Sequence, residues 1–92
     1  MRNTIDKPDI FLGMVKVSEM LERRLEQKGD HCFASVHETL GIITEEYWEL
    51  IEAVKSDNAK KVEDELIDLA VGAIIGIIGM SKKASKSLTK GE

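Results

Sequence analysis

Apolar residues return every three or four positions through Ile10, Phe11, Met14, Val15, Val17, Met20, Leu21 and Leu25. That spacing predicts a helix opening just after Pro8–Asp9 and stopping at Lys28–Gly29. Gly29–Asp30–His31–Cys32–Phe33 reads as a loop. Ser35, followed three residues on by Glu38, fits a capping box and opens a second helix that runs to about Lys55. Ser56–Asp57–Asn58 supplies a turn and the next N-cap, and a third helix follows from Ala59. Helices at about 9–28, 36–55 and 59–82, with a tail over 83–92 that frays, make one all-α domain over 1–92. The class expected is a helical hairpin bundle of three main helices, completed into a larger bundle by oligomerisation.

On a helical wheel with Glu45 at zero, Val36, Leu40, Ile43, Tyr47, Leu50, Ile51 and Val54 fall between about 140° and 240°, a core stripe. Glu38, Glu45 and Glu52 point away from it. Glu49 and Glu46 sit on the flank at about 40° and 100°, beside Ile42 and Ala53, so these two carboxylates border the core. The third helix is charged in its first turns and then, from Leu66 to Met80, apolar or glycine everywhere but Asp68. The unbroken run Leu69–Met80 is 12 residues, too short to cross a bilayer, and starting at Leu66 would put Asp68 in lipid. The pattern therefore predicts burial between subunits, with Gly72, Ala73, Gly76 and Gly79 letting another helix approach; tight packing within one protomer is the plainer alternative.

Composition narrows the class. A 92-residue chain with 42% hydrophobic and 33% charged residues is neither disordered nor repetitive, and four aromatic residues argue against a β-sandwich. The single Cys32 excludes an intrachain disulfide framework, and no signal-peptide pattern follows Met1, so the expected compartment is the cytoplasm. The net charge of −4 hides an asymmetry: residues 36–68 carry ten acids against Lys55, Lys60 and Lys61, while 81–92 carry four lysines against Glu92. An acidic middle repels phosphate backbones, which disfavours general nucleic-acid binding but not a polyphosphate with cations in between.

Two acid pairs carry the candidate chemistry, Glu46–x–x–Glu49 on the second helix and Glu65–x–x–Asp68 on the third. Spacing of i,i+3 puts each pair on one helix face, about 5–6 Å apart at Cβ. With the hairpin turning near Asp57, Glu49 lies eight residues before the turn and Glu65 eight after, so the pairs should meet at one level. Four facing carboxylates must take up protons or a cation, and oxygen-only ligands suit Mg²⁺, with Mn²⁺ as substitute. The bland alternative is a solvated acidic face.

Glu45–Glu46–x–x–Glu49 followed by Glu65–x–x–Asp68 resembles the ExxE…ExxD signature of the all-α nucleoside triphosphate pyrophosphohydrolases. That superfamily includes MazG proteins, dimeric dUTPases and phosphoribosyl-ATP pyrophosphohydrolase. The similarity spans about residues 30–80, with His37–Glu38 ahead of the acids and the apolar stretch behind, and is nearest to short MazG-like chains. The resemblance implies that Glu46, Glu49, Glu65 and Asp68 are catalytic residues and ligands of Mg²⁺. It implies hydrolysis of a nucleoside triphosphate to the monophosphate and pyrophosphate, by a homodimer or dimer of dimers. Related chains often carry a basic residue ahead of the first acid pair, where this one has Gly41–Ile42–Ile43–Thr44. Phosphate contacts then fall to Lys55, Lys82, Lys83 or Lys86, or to a neighbouring subunit, and Trp48 or Phe33 could stack on the base.

Other features have plainer readings. His31, Cys32 and His37 offer too few well-spaced ligands for zinc and suit loop and cap roles. Met14 and Met20 read as core filler. The rival to the enzyme is a non-catalytic helical module that binds metal or nucleotide, or another protein.

Overall fold

Each helix starts where a short polar side chain can satisfy its free backbone N–H groups. The computed structural model describes residues 2–90, and their side chains as far as Lys83. Helix α1 spans Lys7–Lys28, α2 Val36–Lys55 and α3 Ala59–Lys90, with no strand among the described residues. The chain is all-α. Helix α1 begins two residues before the expected start, because Asp6 and Asp9 cap each other reciprocally and Pro8 fits the first turn. It ends at Gly29, whose φ of +95° suits a residue without Cβ. Ser35 Oγ accepts from the Glu38 N–H at 3.1 Å, while the Glu38 carboxylate reaches one residue further back, to the Ala34 N–H at 2.8 Å. The turn runs through Asp57 at φ +56°, and Asn58 Oδ1 accepts from the Lys61 N–H to open α3. Helix α3 continues past the expected end at 82, since Ser81–Lys90 contains no glycine or proline to stop it. The expected fraying from 83 is not seen as far as Lys90, and residues 91 and 92 lie outside the described residues.

Helix α3 is the spine. It packs against both α1 and α2, which do not pack against each other. The α2·α3 seam is set by small residues: a Cβ on Gly72 would meet Ile43 Cδ1 at 3.3 Å, and one on Gly76 would meet Thr39 Cγ2 at 2.8 Å. These glycines therefore seat α2 within the protomer, not a helix of another subunit. On α3, Glu65, Asp68, Gly72, Gly76 and Gly79 fall within about 80° of one another on the wheel, so the strip that receives α2 runs straight into the acids.

This seam corrects the expected face of α2. The residues turned toward α3 are Thr39, Ile42, Ile43, Glu46 and Ala53, so only the edge of the most apolar stripe takes part. Val36, Leu40, Tyr47 and Val54, expected in the core, are each more than half exposed. Ile43, Leu50 and Ile51 are half-buried. The physical reason is steric: the glycine groove on α3 admits close approach along the Thr39–Ala53 strip. The buried apolar side chains among the described residues are Ala53, Val71 and Ile75. Met14, read as core filler, is 67% exposed, on the wall of an open apolar hollow between α1 and α3 that also takes in Ala70 and Ile74. Among the described residues no helix is long and apolar enough to cross a membrane.

The seam makes opposite predictions for two glycines inside helices. Gly41 has open space around its missing Cβ, so Gly41→Ala should raise stability by about 0.5–1 kcal/mol through helix propensity. Gly76→Val collides with a β-branched side chain and should lower it by about 1–3 kcal/mol. Urea denaturation of the two variants checks the sign. Equal effects would mean that α2 does not press on Gly76.

Candidate metal centre

The antiparallel hairpin brings the two acid pairs to one level. Glu46 and Glu49 lie one turn apart on α2, and Glu65 faces them from α3. One carboxylate oxygen from each of Glu46, Glu49 and Glu65 lies within 4.8 Å of the others. Glu49 is exposed, and its carboxylate oxygen lies within 4.8 Å of those of both other glutamates, so it bridges them. Asp68 lies beside this triad on the same face of α3, but its Oδ1 faces Arg24 Nη2 of α1 at 3.5 Å. The triad is thus closed by α2 and α3, and α1 contributes a cation at its edge. Nothing in the local sequence marks Arg24. It lies 44 positions from Asp68, on a helix that meets α3 only through tertiary packing.

Two unit charges 4.8 Å apart repel by about 3–4 kcal/mol at an effective dielectric near 20. Three such pairs would approach the whole net stability of a small domain, about 5–15 kcal/mol. Without a cation, protons must relieve the strain. Glu46 is pushed up to about 7, first by burial and then by the charges of Glu49 and Asp68. Glu65 is raised, again by burial first and then by the neighbouring Glu49 carboxylate. Asp68 is raised as well, since burial outweighs the opposing charge of Arg24.

The donor set fits a hard divalent cation. Glu46 Oε2 and Glu65 Oε2 are buried without a hydrogen-bond partner, and such orphaned acceptors cost free energy unless something positive meets them. Carboxylate oxygens are the ligands Mg²⁺ and Mn²⁺ prefer, and the exposed edge at Glu49 leaves room for water. Among the described residues this is the single cluster of its kind, and the ligand atoms of His31, Cys32 and His37 do not converge with one another.

The remaining candidates divide between two hollows. Trp48, 60% exposed, lines one of about 550 Å³ together with Glu49, Glu52, Ser56, Lys61 and Glu65, which opens directly onto the triad. Lys61, a cation on its wall, was not singled out from the sequence, although its position one turn before Glu65 is a usable signal. Lys55 is exposed and its Nζ lies 3.9 Å from Glu52. Phe33, Lys82 and Lys83 line the other hollow, of about 630 Å³, at the far end of the hairpin. At 1.5 Å per residue Lys82 stands roughly 25 Å along α3 from Glu65, so within one protomer these three do not reach the triad.

The raised carboxylates predict a stability profile. A carboxyl whose folded pKa exceeds its unfolded value stabilises the fold at low pH and loses that contribution as pH rises through the folded pKa. Metal-free protein should therefore lose stability between about pH 4.5 and 7 through Glu46, with Glu65 and Asp68 adding in the same direction. Saturating Mg²⁺ should abolish the loss. Thermal melts across this range, with chelator and with Mg²⁺, check both arms; superimposed profiles would count against metal at this cluster. No protein-family model, curated protein or solved structure matches this chain.

Proposed function

We propose that this protein is a MazG-like, Mg²⁺-dependent pyrophosphohydrolase that cleaves a nucleoside triphosphate to the monophosphate and pyrophosphate, in nucleotide pool control or house-cleaning in the cytoplasm. The observation that carries the reading is the convergence of Glu46, Glu49 and Glu65, with two buried oxygens left unpartnered. In this reading those three residues and Asp68 hold the cation. The bound metal supplies positive charge against a polyanionic substrate and Lewis acidity toward water. One of the four carboxylates accepts the proton of the attacking water. In this reading the adjoining hollow, lined by Trp48 and Lys61, takes the nucleoside, with Trp48 stacking on the base. Phe33, Lys82 and Lys83 contribute only from a neighbouring subunit, given their distance along α3.

The assembly proposed is a homodimer or a dimer of dimers, with a second copy covering the outer face of α2. Val36, Leu40, Tyr47 and Val54 form an exposed apolar stripe there, continuous along the helix. A compact monomer of 10.3 kDa exposes roughly 5,400 Å², whereas this chain exposes 7619 Å². The excess is larger than the roughly 800 Å² per partner that a stable interface covers. The interface expected from the sequence on α3 and α1 thus moves in part to α2: the glycine face of α3 is occupied within the protomer, while Ile10, Phe11 and Met14 of α1 stay exposed as further contact surface.

The decisive test incubates the protein with the common and several modified nucleoside triphosphates and Mg²⁺, and measures pyrophosphate. The expected result is one pyrophosphate per monophosphate for at least one substrate, abolished by chelator. Mg²⁺ binding without release of pyrophosphate would transfer support to a silent metal or nucleotide binder.

A further inference from the structure

A site built from carboxylates needs more than divalent metal to hold a triphosphate, because the substrate itself carries about four negative charges. We propose that Arg24 of α1 is the phosphate-binding residue of this centre, an inference that rests on the pyrophosphohydrolase reading.

Its placement is the first support. Arg24 is the cation that α1 delivers to the acids, with Nη2 at 3.5 Å from Asp68 Oδ1, and its charge is also felt at Glu46. Burial is the second. Its side chain is 20% exposed, whereas Lys16, Lys55 and Lys60, the other cations in ion pairs among the described residues, are 42%, 70% and 76% exposed. Those three belong to a solvated surface, where ion pairs contribute little. Geometry is the third. The guanidinium carries five N–H donors in a planar fork, and this contact to Asp68 is long and made through one nitrogen, not bidentate. Such a pair is easily exchanged. A phosphate offers two oxygens at the spacing of the fork, and taking them frees Asp68 to face the cation beside Glu65. Arg24 thereby holds the phosphate chain against the metal and leaves the hollow at Trp48 for the nucleoside.

Calorimetric binding of inorganic pyrophosphate in saturating Mg²⁺, with Mg²⁺ binding measured separately, tests this in the parent, Arg24→Gln and Arg24→Lys. The expected result is a loss of about 10- to 100-fold in pyrophosphate affinity for Arg24→Gln. Arg24→Lys should recover part of it, and Mg²⁺ affinity should stay within about threefold. The KM of a turned-over triphosphate should rise in parallel, more than kcat falls. Pyrophosphate affinity and KM within twofold of the parent would overturn the assignment. So would a fall in Mg²⁺ affinity as large as the fall in pyrophosphate affinity, since Arg24 would then act only by holding Asp68. If Arg24→Gln loses helix content, Arg24→Lys against the parent carries the comparison, with the charge beside Asp68 kept and the planar fork removed: a pyrophosphate affinity within twofold of the parent would then overturn the assignment. A parent that turns over triphosphate with no response to Arg24 defeats this inference alone. A parent that neither turns over triphosphate nor binds pyrophosphate with Mg²⁺ defeats the pyrophosphohydrolase reading, and this inference with it.

Discussion

On the proposed reading, Glu49→Gln and Asp68→Asn should each lower pyrophosphate release by at least about 100-fold, or ~2.7 kcal/mol of transition-state stabilisation, while the helix content stays at the parental level. The substitutions keep shape and remove charge, so they withdraw ligand strength without opening a cavity. Glu49 is exposed and bridges Glu46 to Glu65, and neutralising it also lessens the repulsion that the metal-free fold must tolerate. Its fold stability should therefore be unchanged or slightly higher, the opposite of what a structural residue shows. Asp68→Asn gives up the charge that faces Arg24 at 3.5 Å, in a pair only 20% and 26% exposed, but keeps the side chain's volume in place. Steady-state assays with circular dichroism on the same samples separate the two effects. Full activity in both variants would end the catalytic assignment.

The second large effect is expected at the outer face of α2. Leu40→Asp combined with Tyr47→Asp should convert the assembly to monomer, weakening association by at least about 1,000-fold. Burying a large apolar side chain is worth about 1.5–3 kcal/mol, and in a two-fold interface each position counts twice. Both residues are more than half exposed in the protomer, so the substitutions leave the α2·α3 seam untouched. Sedimentation equilibrium of parent and variant gives the answer directly. A parent that is monomeric at about 100 μM would remove self-association as the explanation of the stripe.

What the sequence disclosed followed the range of the interaction. The caps at Ser35 and Asn58 are local, one side chain bonding a backbone N–H three residues on, and both were legible. The meeting of Glu46 and Glu49 with Glu65 was legible too, because a short turn near Asp57 fixes the register of the two helices. The rotation of α2 was not. Periodicity identifies the most apolar face, and here that face lies outside the protomer, while glycines on α3 choose the strip carrying Thr39, Ile42, Glu46 and Ala53. The glycine spacing was visible, but which helix would fill it was not. Arg24 was hidden for a related reason: α1 is joined to α2, yet packs on α3, so its partner cannot be read from chain order.

The central claim is that Glu46, Glu49 and Glu65 hold a divalent cation between α2 and α3. Anomalous diffraction from crystals grown with Mn²⁺ measures this most directly. The expected result is a peak about 2 Å from a carboxylate oxygen of each of the three residues. Well-ordered carboxylates turned apart into solvent, with no peak between them at high Mn²⁺, would contradict it.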